Sequence, residues 1–367
     1  MRNRLLLIAL GVFLALLITE TALRVLGLPR FHDVHSSTAE FEFHTAPSGE
    51  VFYTNQASAA ITFVYDEDPR GYFGSGNAVV QHTNRFGFRG PDVRVEKPDS
   101  VIRVAFLGDS YTFGEGVHDA DVFPEVVERI LNGEHALVPG KTVQSLDFGV
   151  GGYNTEQSLF LLNHLVLSFS PDVVVLGYTL NDAEQALFHL GPDGRVQRRD
   201  REALVPEGVA ERKPPARLLY RSRLAQEFWK IWWNRRTTRA TIGYYRALYR
   251  EDAAGWKATQ DALSGIIETC RQHGIKLIVA DLPILYRLNG PSPFASEYEK
   301  VRTFVEPKLD TDGVWLDLLS AVRGYRGPEL WVHPTDQHPN ERAHRLFAVR
   351  IAEAIRTLVG EAATSSG

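Results

Sequence analysis

Val101-Ile-Arg-Val-Ala-Phe-Leu107, running into Gly108-Asp109-Ser110, is the stretch that decides the fold. An apolar run with one charge in it reads as a strand buried on both faces of a parallel sheet. A hydroxyl just past the carboxyl end of such a strand lies at the edge where open α/β sheets hold their ligands. On its own, a serine there is more often a loop or cap residue. Working outward, strand and helix alternate. Pro124 opens a helix through Leu131, and Val143 to Phe148 is a strand. Asn154 with Gln157 three residues on has the pattern of a capping box and starts a helix through Phe169. Asp172 to Leu176 is a second continuous apolar strand. After an interruption, Trp256 to His273 shows helical periodicity and stops at Gly274. Ile275 to Leu282 and Val314 to Leu318 follow as strands, and Asn340 caps a last helix to Val359, ended by Gly360. Repeated units of this kind predict a mainly parallel central sheet between two helix layers, a three-layer α/β/α domain over residues 101–360.

The chain has 367 residues, 44% hydrophobic and 23% charged, and can bury a large core. A net charge of −5 gives no reason to expect a nucleic-acid partner, whose binders carry a concentrated basic face. Cys270 is the single cysteine, so neither an intramolecular disulfide nor a cysteine-rich metal site can form. It reads as a small hydrophobe on a helix.

Three further blocks follow Ser110 in order: Gly149-Val-Gly-Gly-Tyr-Asn-Thr-Glu-Gln157, Gly177-Tyr-Thr-Leu-Asn-Asp182 and Asp336-Gln-His-Pro-Asn340. With Gly108-Asp109-Ser110 they resemble the nucleophile, glycine, asparagine and histidine blocks of the SGNH (GDSL) hydrolase family. Four ordered blocks are much more specific than any one motif. The resemblance implies a flavodoxin-like α/β fold and a serine-dependent ester hydrolase, with no cofactor and no metal. Ser110 would be the nucleophile, His338 the base and Asp336 the acid. The backbone N–H groups of Ser110 and Gly152 and the side-chain amide of Asn181 would form the oxyanion hole. One departure stands out. The family's acid often lies three residues before the histidine, a place held here by Thr335, whereas Asp336 lies two before. In an extended segment residues two apart point the same way, so Asp336 and His338 can face one site.

The residues fit acyl-transfer chemistry, which needs a hydroxyl, a base within reach of it, a group holding that base, and donors aimed at the developing oxyanion. Other residues in and beside these blocks suit structural roles. Asp109 is expected to shape the turn through backbone hydrogen bonds, Asp182 to brace the loop holding Asn181, and His344 to be structural. His333, Asp336 and His338 could ligate a metal together, but no further cysteine or acidic cluster completes the set. Thr112 stands where a Gly-x-Ser-x-Gly elbow needs its second glycine, and Asn154 where a dinucleotide fingerprint needs its third.

Residues 1–30 carry an address. Met1-Arg-Asn-Arg4 precedes a charge-free apolar run from Leu5 to Thr19, shorter than the roughly 20 residues a spanning helix needs. Glu20 and Arg24 fall four apart and can pair on a helix while apolar residues continue to Leu28. With Ala22 at −1 of a cleavage site, Glu20 would stand at −3, so a signal-anchor is preferred to a cleaved signal peptide. Either exports the folded part; in a bacterial source the reading is an inner-membrane anchor with the catalytic domain in the periplasm. Residues 31–100 hold strand-like Ala60 to Tyr65 and Ala78 to His82 and a turn over Asn84 to Pro91 that feeds the main domain; the resemblance to exported members of the SGNH family implies that this segment is a cover on the core. A helical insertion at about 185–255 holds a polar loop (Asp193 to Pro215) and an aromatic, basic stretch from Leu218 to Arg236. The simplest reading packs the Trp face of that stretch on the domain; a membrane-surface helix and a lid are the alternatives. Residues 361–367 read as a disordered tail. The expected function is an acyl esterase of the cell envelope acting on a small-molecule or glycan ester, with the membrane as a partner through the N-terminal helix. The alternatives are an O-acyltransferase modifying an envelope glycan with the same triad, and a non-catalytic glycan-binding or assembly protein on the same fold.

Overall fold

The structure is a computed structural model that describes residues 2–26, 36–45, 51–133, 137–186, 188–190, 195–198 and 221–365. Most of the polar loop expected over Asp193 to Pro215 lies outside the described residues. The chain divides into two units, His35–Arg199 with Tyr245–Gly367, and Met1–Val34 with Asp200–Tyr244.

The first unit is built on the expected parallel sheet. Its strands are β1 (Val101–Gly108), β2 (Thr142–Asp147), β3 (Val173–Tyr178), β4 (Lys276–Asp281) and β5 (Gly313–Asp317), in the order β2-β1-β3-β4-β5. This is the flavodoxin-like order, whose direction of winding reverses between β1 and β3 and leaves a crevice at their carboxyl ends. There Gly108 of β1 stands beside Gly177 of β3. Alternate residues Val104, Phe106, Val173, Val175, Ile278 and Ala280 pack with Phe123, Val127, Phe347 and Ile351, from helices Phe123–Leu131 and Glu341–Ser365. The intervening Ala105, Leu107, Val174, Leu176, Leu277 and Val279 are buried as well. They point to the other face, where helices Thr155–His164 and Ala254–Gln272 pack together. Covering both faces is what removes any polar alternation from these strands.

The helix ends follow local chemistry. Asn154 and Gln157 form the expected capping box, each side chain bonded to the other's backbone N–H. The helix they start ends at His164 and gives way to a 3₁₀ turn over Val166–Phe169, rather than running unbroken to Phe169. Gly274, at φ +64°, follows helix Ala254–Gln272 as expected. Asn340 Oδ1 accepts from the N–H groups of Arg342 and Ala343, both at 3.1 Å. The helix it caps continues past Gly360 to Ser365, so residues 361–365 are helical where a disordered tail was expected.

In the second unit, helix Arg2–Val25 has 24 residues and a length of about 36 Å. Its Asn3–Val25 portion has the length and composition of a membrane span, a test that a signal sequence also passes. Glu20 and Arg24 make the expected pair at 2.8 Å. The insertion contributes the start of helix Arg223–Leu248. Trp229 and Trp232 lie 5.0 Å apart on it, yet Phe228, Ile231 and Trp232 stay 64%, 50% and 48% exposed.

Candidate active site

Ser110 opens a short helix, Ser110–Phe113, directly after β1. The turn requires glycine: Gly108 has φ +152°, and a Cβ there would come 2.2 Å from Thr112 Oγ1. A Cβ on Gly177 would come 2.4 Å from the same atom, so the glycine pair lets the nucleophile helix settle against the strand ends. Asp109 caps the helix, its Oδ1 accepting from Tyr111 N–H at 2.9 Å. That is the expected turn-shaping role, but the carboxylate does more. Its Oδ2 accepts from Asn181 Nδ2 at 2.9 Å and from the Thr179 hydroxyl at 3.1 Å. The Thr179 hydroxyl also touches Asn181 Oδ1. Both ends of the amide are thereby held, with one of its two N–H groups engaged.

The structure brings Ser110, His338 and Asp336 into one line. His338 Nε2 is 2.9 Å from Ser110 Oγ, and Nδ1 is 2.6 Å from Asp336 Oδ1. Asp336 and His338 lie on a short strand, Asp336–Pro339, paired with Trp331–His333. The same Asp336 oxygen accepts His338 N–H at 3.1 Å, so a spacing of two makes the acid both a local turn acceptor and the imidazole's partner. Gly152 sits at φ +79° in the turn after β2, a conformation L side chains avoid. Tyr53 pins that turn by donating to Gly151 O at 3.1 Å.

Two groups facing the histidine were missed from sequence. Tyr65 is buried and donates to Asp336 Oδ2 at 2.9 Å. It comes from the N-terminal segment, 271 residues away in the chain, and no motif marks it. Glu115 places Oε2 3.6 Å from His338 Nε2. Its signal was available, since Glu115 follows Ser110 by little more than one helical turn.

The electrostatics follow burial and these partners. Burial pulls His338 down, but the carboxylates of Asp336, Glu115 and Asp109 outweigh it and carry the imidazole up to about 10. Burial pushes Asp109 up, opposed by the Asn181 amide, Tyr111 N–H, the nearby His338 and Thr179. Asp182 is buried, raised well above the usual carboxylate range, and bonded to Thr179 N–H at 3.4 Å, which is the bracing expected of it. His344, buried against Phe123, drops to about 3 through burial and the nearby Arg89 and His338. Its Nδ1 accepts from Phe123 N–H, the structural part expected of it. His333 Nδ1 meets the Thr335 hydroxyl at 2.7 Å. Among the described residues no group of three or more His, Cys, Asp or Glu side chains could hold a metal ion.

A profile of the GDSL-like lipase/acylhydrolase family matches residues 106–346, a span that takes in all four blocks. The chain belongs to that family. It is therefore an ester-hydrolysing enzyme by family, and its sheet has the flavodoxin-like order. Among solved structures similar to this GDSL-family chain is TesA, at 13% identity and TM-score 0.43, covering 70% of this chain and 99% of that one. Another is a catalytic mutant of the acetylxylan esterase Axe2 from Geobacillus stearothermophilus, at 13% identity and TM-score 0.43, covering 71% and 96%. A third is the psychrotrophic esterase EstA from Pseudoalteromonas sp., at 11% identity and TM-score 0.41, covering 70% and 98%. None of the curated proteins matches the chain.

Proposed function

We propose that this GDSL-family enzyme is a serine-dependent acyl esterase working through Ser110, His338 and Asp336. The observation that carries the reading is the line of contacts from Ser110 Oγ through both imidazole nitrogens to Asp336. Ser110 Oγ attacks the ester carbonyl as its proton passes to His338 Nε2. Asp336 fixes the tautomer and stabilises the imidazolium. The carbonyl oxygen, now an anion, takes hydrogen bonds from the N–H groups of Ser110 and Gly152 and from the N–H of Asn181 not used by Asp109. Collapse returns the proton from His338 to the departing alkoxide, and a water molecule repeats the sequence on the acyl-enzyme. The substrate is a small-molecule or glycan ester. Helix Arg2–Val25 holds the chain to the membrane, with the hydrolase unit on the periplasmic side in a bacterial cell.

The test is labelling of the full-length protein by a fluorophosphonate probe, wild type beside Ser110→Ala, with hydrolysis of a p-nitrophenyl ester read in parallel. Labelling and turnover that disappear in a folded Ser110→Ala protein are the expected result. Undiminished ester hydrolysis by that variant would falsify the assignment.

A further inference from the structure

Glu20 interrupts the apolar face of helix Arg2–Val25, where a carboxylate near a bilayer must find donors. It finds them at the start of the insertion helix. Its oxygens accept from the N–H groups of Arg223 and Leu224, each at 2.9 Å, and from the Ser222 hydroxyl at 2.9 Å. Arg24, paired with Glu20, reaches on to the Arg221 carbonyl at 2.8 Å. These contacts lie within one unit of the fold. The carboxylate thus sits on the first free N–H groups of a long helix, the end that favours negative charge.

Depth follows from this attachment. Glu20 stands five residues, about 8 Å, short of Val25 at the end of the 23-residue apolar span. The pinned helix start is therefore at the edge of the hydrocarbon layer, and the residues two turns on remain near it. Phe228, Ile231 and Trp232 are exposed there, spaced three and four apart on one helix face. Arg235 and Arg239 continue the same face and are exposed, and Arg236 lies 5.6 Å over the Trp232 ring. Residues 221–239 carry six basic side chains against one acidic, in a chain whose net charge is −5. Apolar and aromatic groups nearest the anchor, then cations, match the succession from acyl chains to anionic headgroups.

We infer that the N-terminal helix is retained in the mature protein and that the insertion helix, pinned to it through Glu20, slants through the interface of an anionic bilayer, with its Phe228–Ile231–Trp232 stripe among the acyl chains and Arg235 and Arg239 at the headgroups. This rests on the anchor reading above, and the experiment separates the two. The full chain is reconstituted in phosphatidylcholine vesicles, with and without phosphatidylglycerol, containing lipid brominated near the headgroup end of its acyl chains. Its intact mass is measured first. A mass lacking residues 1–25 overturns the anchor and the inference with it. With the helix present, brominated lipid should quench tryptophan emission, and Trp232→Phe should lose part of that quenching. Phosphatidylglycerol should enlarge the Trp232 component, an increase that Arg235→Ser with Arg239→Ser should remove. Glu20→Gln should weaken quenching at Trp232 while the protein stays in the vesicles. Equal quenched fractions in wild type and Trp232→Phe would overturn the interfacial placement alone. So would a Trp232 component that fades as the protein-to-lipid ratio rises, which would mean that a second copy covers the stripe.

Discussion

Replacing Glu115 by Gln should move the pH dependence of the esterase without removing its machinery. In the resting site the Glu115 carboxylate lies 3.6 Å from the imidazole nitrogen that must accept the Ser110 proton. A charge pair at that distance is worth about 1 kcal/mol in water and about 5 kcal/mol at an effective dielectric constant of about 20. The two side chains are 25% and 23% exposed, so solvent screens the pair and the lower half of that range applies. An interaction of about 1.5–3 kcal/mol corresponds to about one to two pH units. The sign is fixed by which form Glu115 favours. It stabilises the imidazolium, one of three carboxylates that carry His338 up to about 10. Attack needs the neutral imidazole, so kcat/KM should rise with pH along a limb that reports the free enzyme's histidine. In Glu115→Gln that limb should fall by about one to two units. Below both limbs the variant should then be about ten- to a hundredfold faster than wild type on a neutral ester. A limb that stays in place, or moves upward, refutes the assignment of Glu115 as a charge on His338. The alkaline plateau is a separate reading, because a carboxylate that also orients the attacking water would lower it without moving the limb.

Three further expectations concern the residues around this relay. Asn181→Ala should lower kcat by about 10²–10³, the usual loss for one oxyanion donor, read from steady-state hydrolysis of a soluble ester. Asp336→Asn should cost far more activity than Asp182→Asn. Asp336 holds the imidazole at 2.6 Å, whereas Asp182 sits buried and biased towards its neutral form, which the amide imitates. The reverse order in measured kcat would reassign the acid. Tyr65→Phe keeps the ring stacked 4.5 Å from Phe73 but leaves Asp336 Oδ2 without its hydroxyl donor. It should destabilise the fold by about 1–3 kcal/mol in urea unfolding and lower kcat, with KM for a small ester little changed.

The sheet was legible because burying both faces of a strand leaves a mark in a single sequence. Val173–Tyr178 is apolar along its length and Val101–Gly108 is so except for Arg103, and a parallel sheet could be read from the alternation with helices. The ends were readable where a side chain closes the helix, as at Asn154 and Asn340. They were misread where nothing in the residue type decides. Gly360 stopped a helix on paper but sits in open space in the fold, with nothing near a Cβ to make the glycine necessary. Ser110, His338 and Asp336 were legible for another reason, since each lies in a short motif at the edge of a strand. Tyr65, Tyr53 and Thr179 were not. Their work is done through tertiary contacts between segments far apart in the chain, and a tyrosine bound to a buried carboxylate looks in sequence like any aromatic core residue.

Those unread contacts also change what the N-terminal segment is. Read from sequence it is a cover; in the fold it also bonds to Asp336, to the turn that carries Gly152 and to the loop that follows Ser110. Tyr65 holds the second oxygen of Asp336, and Tyr53 holds the turn that carries Gly152. Gln81 Nε2 donates to the carbonyls of Gly114 and Val117 at 2.7 and 2.8 Å. The buried guanidinium of Arg89 reaches the same two carbonyls and that of Phe113. The carbonyls of the loop that carries Glu115 away from Ser110 are thus satisfied from outside the sheet. Left to itself, that loop would present buried acceptors without donors, each worth about 1–3 kcal/mol. Placing the acid two residues before the histidine works in the same way. The local strand supplies one Asp336 oxygen to His338, and the N-terminal segment supplies the donor for the other. The four blocks name the reacting groups and make the contacts between them, while a segment that contains none of those blocks holds the outer side of Asp336 and the turns beside Ser110 and Gly152.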